Sequence, residues 1–190
     1  MHLELIIGPM FAGKSSAVLQ RIRRAKVIGR NVFIVTSILD TRYDVSGASV
    51  KTHDQEGIVA TGLGVNELQD ILKLASFQQC DTIIIEEAQF FNGLYDIVKR
   101  MVEVYKKNVI VVGLDGDSDR KPFGEILQLI PLADSVTKLA ALCKRCSDGT
   151  EGQFTALVAD KGGKTAQIYV GGADKYLPMC RQHYLENLIL

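Results

Sequence analysis

Gly8-Pro9-Met10-Phe11-Ala12-Gly13-Lys14-Ser15 fits the spacing G-x-x-x-x-G-K-[ST], and the residue types explain why that spacing holds phosphate. Glycines let successive backbone N–H groups turn inward around anionic oxygens, and the helix that follows adds partial positive charge. Lys14 would bridge the β- and γ-phosphates of a nucleoside triphosphate, with the Ser15 hydroxyl directed to Mg²⁺. A second cluster, Glu86-Glu87, follows the apolar run 83–85. Neighbouring side chains diverge on a strand, so one carboxylate can face Mg²⁺ and phosphate while the other faces a separate pocket, dividing metal and base roles. A third cluster is Cys143-x-x-Cys146 with Cys180-x-x-His183. Two ligand pairs of this kind make a closed tetrahedral Cys₃His zinc site, which is structural chemistry because catalysis needs an open position. Binding would ionise the thiols and count toward folding free energy. Cys80 lacks such a partner and reads as a small residue near the start of a strand, and His2 and His53, without ligand spacing, read as solvated or core.

These groups need elements to hold them. The runs 3–7, 31–36, 81–85 and 108–114 are rich in Ile and Val and continuously apolar, as strands of a parallel sheet buried on both faces must be. Leu94, Ile97, Val98, Met101, Val102 and Tyr105 recur at helical spacing, as do Val65, Leu68, Ile71, Leu72 and Ala75. Strands alternating with helices imply right-handed crossovers and an open α/β sheet, P-loop NTPase-like, with helices on both faces. Ligands then gather at the carboxyl ends of strands, here after Ile7, Ser37, Ile85 and Leu114. Beyond Leu142 the texture changes. Gly149, Gly152, Gly162, Gly163, Gly171 and Gly172 break up short segments, and 154–158 with 165–170 read as a hairpin around the turn 160–164. A lobe of fewer than about 50 residues struggles to bury a core alone, so a metal staple is expected. The division is therefore a P-loop ATP-binding α/β domain over 1–142 and a zinc lobe over 143–190.

Composition narrows the class. The 190 residues carry 22 Lys plus Arg against 22 Asp plus Glu, a zero formal net charge that argues against gripping nucleic acid or an anionic membrane by bulk electrostatics. A chain this long buries roughly 70% of its unfolded surface, and four cysteines are too few for a secreted disulfide framework. No run approaches the ~18 apolar residues of a membrane span, and Met1-His2-Leu3-Glu4 carries no basic leader, so a soluble, cytoplasmic chain is expected. The ribbon region mixes Asp148, Glu151, Asp160 and Asp174 with Lys161, Lys164 and Lys175, which is no basic stripe for reading a nucleic acid.

Taken in order, the phosphate loop, Asp40-Thr41-Arg42-Tyr43, Glu87-Ala88-Gln89-Phe90-Phe91, Leu114-Asp115-Gly116, Arg120-Lys121-Pro122-Phe123, the two ligand pairs and Gly171-Gly172-Ala173-Asp174-Lys175-Tyr176 span nearly the whole chain. The combination resembles the zinc-containing thymidine kinases of animal cells, many bacteria and poxviruses. The resemblance implies transfer of the ATP γ-phosphoryl group to the 5′-hydroxyl of thymidine and deoxyuridine, with Mg²⁺ and a structural Zn²⁺. It implies Glu87 as the base, Asp40, Arg42 and Glu86 near the transferring phosphate and metal, and Gln89 beside the acceptor. A lasso-like loop, roughly Thr155 to Met179, would cover the nucleoside. Thr155, Gln167, Ile168, Tyr169, Val170, Gly171 and Tyr176 would be its contacts, with Met10 and Leu114 as apolar walls. Homotetramers are common in the family. Three positions depart from its usual pattern: Glu86 stands for Asp, Ser118 for an aromatic pocket residue, and Leu157 for an Arg. His183 replaces a Cys, an exchange zinc accepts. These departures motivate a second reading, a noncatalytic kinase-fold subunit that binds nucleotide in an oligomer.

Overall fold

The computed structural model describes residues 1–39, 49–51, 57–59, 61–158 and 171–189. Along the chain lie β1 (His2–Ile7), α1 (Lys14–Val27), β2 (Val32–Ser37), β3 (Ser49–Lys51), β4 (Gly57–Val59), β5 (Thr61–Leu63), α2 (Ala75–Gln79), β6 (Thr82–Ile85), α3 (Leu94–Glu103) and β7 (Asn108–Gly113). They are followed by β8 (Ser135–Lys138), β9 (Ala141–Leu142), β10 (Glu151–Gly152), β11 (Phe154–Leu157), β12 (Tyr176–Met179) and α4 (Arg181–Ile189). Six strands form the central sheet in the order β5-β2-β6-β7-β1-β8, every pair parallel. The four apolar runs of the sequence are the interior strands β1, β2, β6 and β7, as continuous burial on both faces requires.

Alternation along each strand divides the core in two. Leu5, Val35, Ile83, Ile85, Val109 and Val111 pack with α3 and the 68–79 region, whereas Ile6, Ile34, Ile84, Ile110 and Val112 pack with Val18 and Ile22 of α1. Helix α3 buries Leu94, Ile97, Val98 and Met101 against the first face. Each such side chain stabilises by roughly 1.5–3 kcal/mol on burial. The edge strands β5 and β8 were not expected. They are three and four residues long, and β8 alternates half-buried with exposed residues, so neither carries an apolar run.

The helix expected over 65–75 is instead a 3₁₀ turn, Leu68–Lys73, followed by the short α2. Leu74 is extended (φ −74°, ψ 139°), its N–H closes on Ile71 O at 3.0 Å, and the Val65 carbonyl is taken by the Asn92 N–H at 2.9 Å. The apolar stripe is nonetheless buried at Leu68, Ile71 and Leu72, so the periodicity reported the face and not the helix type. In the lobe, β11 pairs antiparallel with β12, from Phe154 opposite Met179 to Leu157 opposite Tyr176. The partner expected for this strand, 165–170, lies outside the described residues. Cys143, Ala156, Met179 and Tyr184 give the lobe a small core of its own. Among the described residues, no helix is long and apolar enough to cross a membrane.

Candidate functional site

The phosphate loop leaves β1 at Gly8 and enters α1 at Lys14, as the motif demands. Gly8 is fixed by the residue that follows β8: a Cβ there would sit 2.4 Å from Leu139 O, and Leu139 is held by its N–H bond to Ile7 O at 2.8 Å. Any larger residue would push the loop off the sheet. The Lys14 ammonium donates to Pro9 O at 2.7 Å and Gly8 O at 3.2 Å, which folds the side chain over the loop. No acid occupies the first turn of α1, so nothing on the helix competes there with an anion. Met10, half-buried, donates its N–H to Thr155 Oγ1 at 2.9 Å, tying the loop to β11 of the lobe. Ser15 is half-buried, and Phe11, at φ 64°, is exposed.

Glu86 follows β6 and is buried, its N–H bonded to Val35 O at 2.9 Å. Alternation places Ile84 on the α1 face, and Glu86 continues that series. Thr36, which the sequence reading passed over, continues the same series from Ile34 on β2. Its Oγ1 is buried and has no hydrogen-bond partner among the described residues. Its only sequence signal was a hydroxyl at the end of an apolar strand. Glu87 departs from the strand. It is half-buried in a left-handed conformation (φ 51°, ψ 40°) at the head of the turn Ala88–Phe90. The Gln89 Nε2 donates to Glu87 Oε2 at 2.7 Å, and Gln89 Oε1 accepts the Leu114 N–H at 3.0 Å. Both ends of this buried amide are thereby engaged. Leu114 and Ser118 are half-buried just past β7, and Ser118 O accepts the Tyr184 hydroxyl at 2.5 Å. Phe90 and Phe123, given no role from the sequence, pack edge to face with centroids 5.5 Å apart.

Thr155 and Tyr176 are buried on β11 and β12, and Gly171 is half-buried before the turn that leads into β12. Leu157 is also buried and pairs with Tyr176. Asp40, Arg42, Gln167, Ile168, Tyr169 and Val170 lie outside the described residues. On the lobe side, the Arg120 guanidinium stacks 4.5 Å from the Tyr184 ring, and Arg181 lies 4.9 Å from that of Phe154. The first contact clamps the 117–121 turn against α4, and the second holds α4 against β11.

The expected ligand pairs converge. The ligand atoms of Cys143, Cys146, Cys180 and His183 all lie within 4.8 Å of one another. His183 Nδ1 is 3.5 Å from Cys143 Sγ, 3.3 Å from Cys146 Sγ and 3.5 Å from Cys180 Sγ, and Cys146 and Cys180 sulfurs are 3.8 Å apart. Zinc bonds of about 2.3 Å to sulfur and about 2.0–2.1 Å to nitrogen, at tetrahedral angles, give edges of about 3.8 and 3.5 Å. The residues fit the ion. Burial opposes ionisation of the Cys143 thiol, but the backbone amides of Cys180 and Cys146, the His183 ring and the Arg145 amide outweigh it and lower it to about 6. Desolvation, with Cys143 and Cys180 as neighbours, pushes Cys146 up to about 11. Glu186 Oε2 lies 3.9 Å from the other ring nitrogen of His183, placed to orient the imidazole.

The family model described as thymidine kinase matches residues 1–184. A rice protein named thymidine kinase is 43% identical over 100% of this chain and 68% of its own length. Thymidine kinase a of Arabidopsis thaliana is 42% identical over 99% of this chain and 76% of its own length. The monkeypox virus thymidine kinase is 37% identical over 98% of each. The likeness thus runs through both the phosphate loop and the Cys/His lobe, and the chain belongs to the thymidine kinase family.

Proposed function

We propose that this chain transfers the γ-phosphoryl group of ATP to the 5′-hydroxyl of thymidine, and of deoxyuridine, releasing ADP and the nucleoside monophosphate. The observation that carries the reading is the arrangement at one end of the sheet. The phosphate loop after β1 and the Gln89-held Glu87 after β6 are both set at strand carboxyl ends, and the lobe reaches the loop through Thr155. Phosphoryl transfer depends mainly on alignment and charge neutralisation, and these parts supply both. Backbone N–H groups within 11–15 and the Lys14 ammonium would grip the triphosphate. Glu87 would take the 5′-hydroxyl proton as the oxygen attacks. Ser15 lies in the first turn of α1 and Glu86 on the face that α1 covers, with the Thr36 hydroxyl in the same series, so this donor set fits Mg²⁺. When bound, that ion neutralises charge on the phosphates.

Residues Met10, Leu114, Ser118, Thr155, Gly171 and Tyr176 are the described positions assigned to the nucleoside. Residues 143–190 are assigned to a zinc-stapled lobe, and 1–142 to the ATP-binding domain. The test is ADP release by purified protein with Mg·ATP and, in turn, thymidine, deoxyuridine, deoxycytidine or deoxyguanosine, with Lys14→Ala as blank. Turnover with thymidine, absent from the blank, is the expected result. Turnover with deoxycytidine or deoxyguanosine alone would move the specificity elsewhere. ATP binding without turnover would favour the noncatalytic subunit.

A further inference from the structure

We propose that Gln89 is a positioning residue for the base, a buried relay that fixes the Glu87 carboxylate to the end of β7. The inference rests on the reading of Glu87 as the base. Gln89 is 3% exposed, so its amide has no solvent to fall back on. One end faces the Leu114 N–H, which can only donate, so that end is the carbonyl oxygen at 3.0 Å. The NH₂ end is therefore the one set 2.7 Å from Glu87 Oε2. A donor in that place favours the carboxylate over the carboxylic acid, which is the state a base needs. The orientation is not free to reverse.

The surroundings are built around this side chain. A Cβ at Gly113 would lie 2.3 Å from Gln89 Oε1, and one at Gly124 would lie 2.3 Å from the Gln89 carbonyl oxygen. Two elements thus give up side-chain volume to let Gln89 cross from the turn to β7. Glu87 itself sits at φ 51°, a conformation that costs a non-glycine residue energy and persists only where its surroundings over-determine it. The bond from Gln89 is one such constraint. Through Leu114, it also makes the position of the base depend on the segment that leads to Ser118.

Other ionisable groups share this end of the sheet and would be common to any comparison of variants. Among the described residues they include Lys14 on the phosphate loop, Glu86 beside Glu87, Asp115 paired to Lys138 at 2.8 Å, and Asp117, which accepts the Asp119 and Lys121 N–H groups at 2.8 and 2.9 Å. The experiment compares wild type, Gln89→Met and Gln89→Glu in steady-state kinetics across pH, with melting curves as the check on folding. Gln89→Glu keeps an acceptor for the Leu114 N–H but sets a second carboxylate against Glu87. The acidic limb of its kcat profile is expected to move up by about one pH unit or more. Gln89→Met removes both hydrogen bonds at nearly constant shape, and kcat is expected to fall roughly tenfold or more with the KM for ATP within about twofold. Superimposable pH profiles and unchanged kcat in both variants would overturn the relay. Glu87→Gln runs alongside: if it keeps wild-type kcat, the base assignment fails and the relay with it. An inactive Glu87→Gln with unmoved Gln89 variants sinks the relay alone.

Discussion

Gly113 ends β7 without a side chain because Gln89 Oε1 occupies the place its Cβ would take, 2.3 Å away. Gly113→Ala should therefore act at two levels. Crowding in a packed interior typically costs about 1–3 kcal/mol, and displacement of Gln89 should lower kcat as well. Thermal melts and kinetics on the same sample check both, and an alanine variant with wild-type melting and kcat would show that the clearance is not needed. Glu87→Gln is expected to reduce kcat by roughly 10²-fold or more while ADP binding, read by calorimetry, stays near wild type. At this scale the sequence was legible where chemistry is local. Gly8 to Ser15 and the two ligand pairs depend on spacing within one loop or one turn. The bonds of Gln89 depend on Leu114, 25 residues on, and the burial of the Thr36 hydroxyl, without a partner among the described residues, depends on what packs over β2. No spacing announces either.

Helix α3 starts at Gly93 with no side-chain cap of its own, and its first N–H groups are served from another element. Glu125 accepts from Gly93 N at 3.1 Å and Tyr95 N at 3.0 Å. Its charge also suits the positive end of the helix. Glu125→Ala should cost about 1 kcal/mol, the usual loss for a cap. A fall in Tm of about 2–4 °C is expected at this chain length, and an unchanged Tm would show the cap to be inert. The contact between lobe and phosphate loop can be tested in the same way. Thr155→Val keeps shape but removes the acceptor for Met10 N–H, and should weaken ADP binding measured without nucleoside, whereas Thr155→Ser should not. Equal affinities for the two variants would show that the bond does not tune the loop. The interior strands were readable because burial on both faces leaves a continuous apolar run. The edge strands β5 and β8 were not, since a strand with one free edge carries mixed residues. The expected 65–75 helix failed for a related reason, because periodicity marks a buried face and not the hydrogen bonds behind it.

For the molecule as a whole, the Cys/His region is secured to the loops of the central sheet by specific contacts. The Tyr184 hydroxyl holds Ser118 O, Arg120 stacks on the Tyr184 ring, and Thr155 holds Met10. The ligand cluster underlies them, since Tyr184 follows His183. Cys143→Ser should lose zinc by elemental analysis and lower the melting temperature, because metal binding free energy at such a site is folding free energy. Full zinc content in that variant would refute the cluster. The β11–β12 stem adds a property of a different kind. Leu157 and Tyr176 face each other in register, so whatever runs between them starts and finishes at one place. Lengthening a closed loop is inexpensive, about 0.6 kcal/mol for each doubling. The stem is thus a splice point. A segment of another length set between these two residues would cost little closure free energy and leave β11, β12 and the Cys/His cluster as they are.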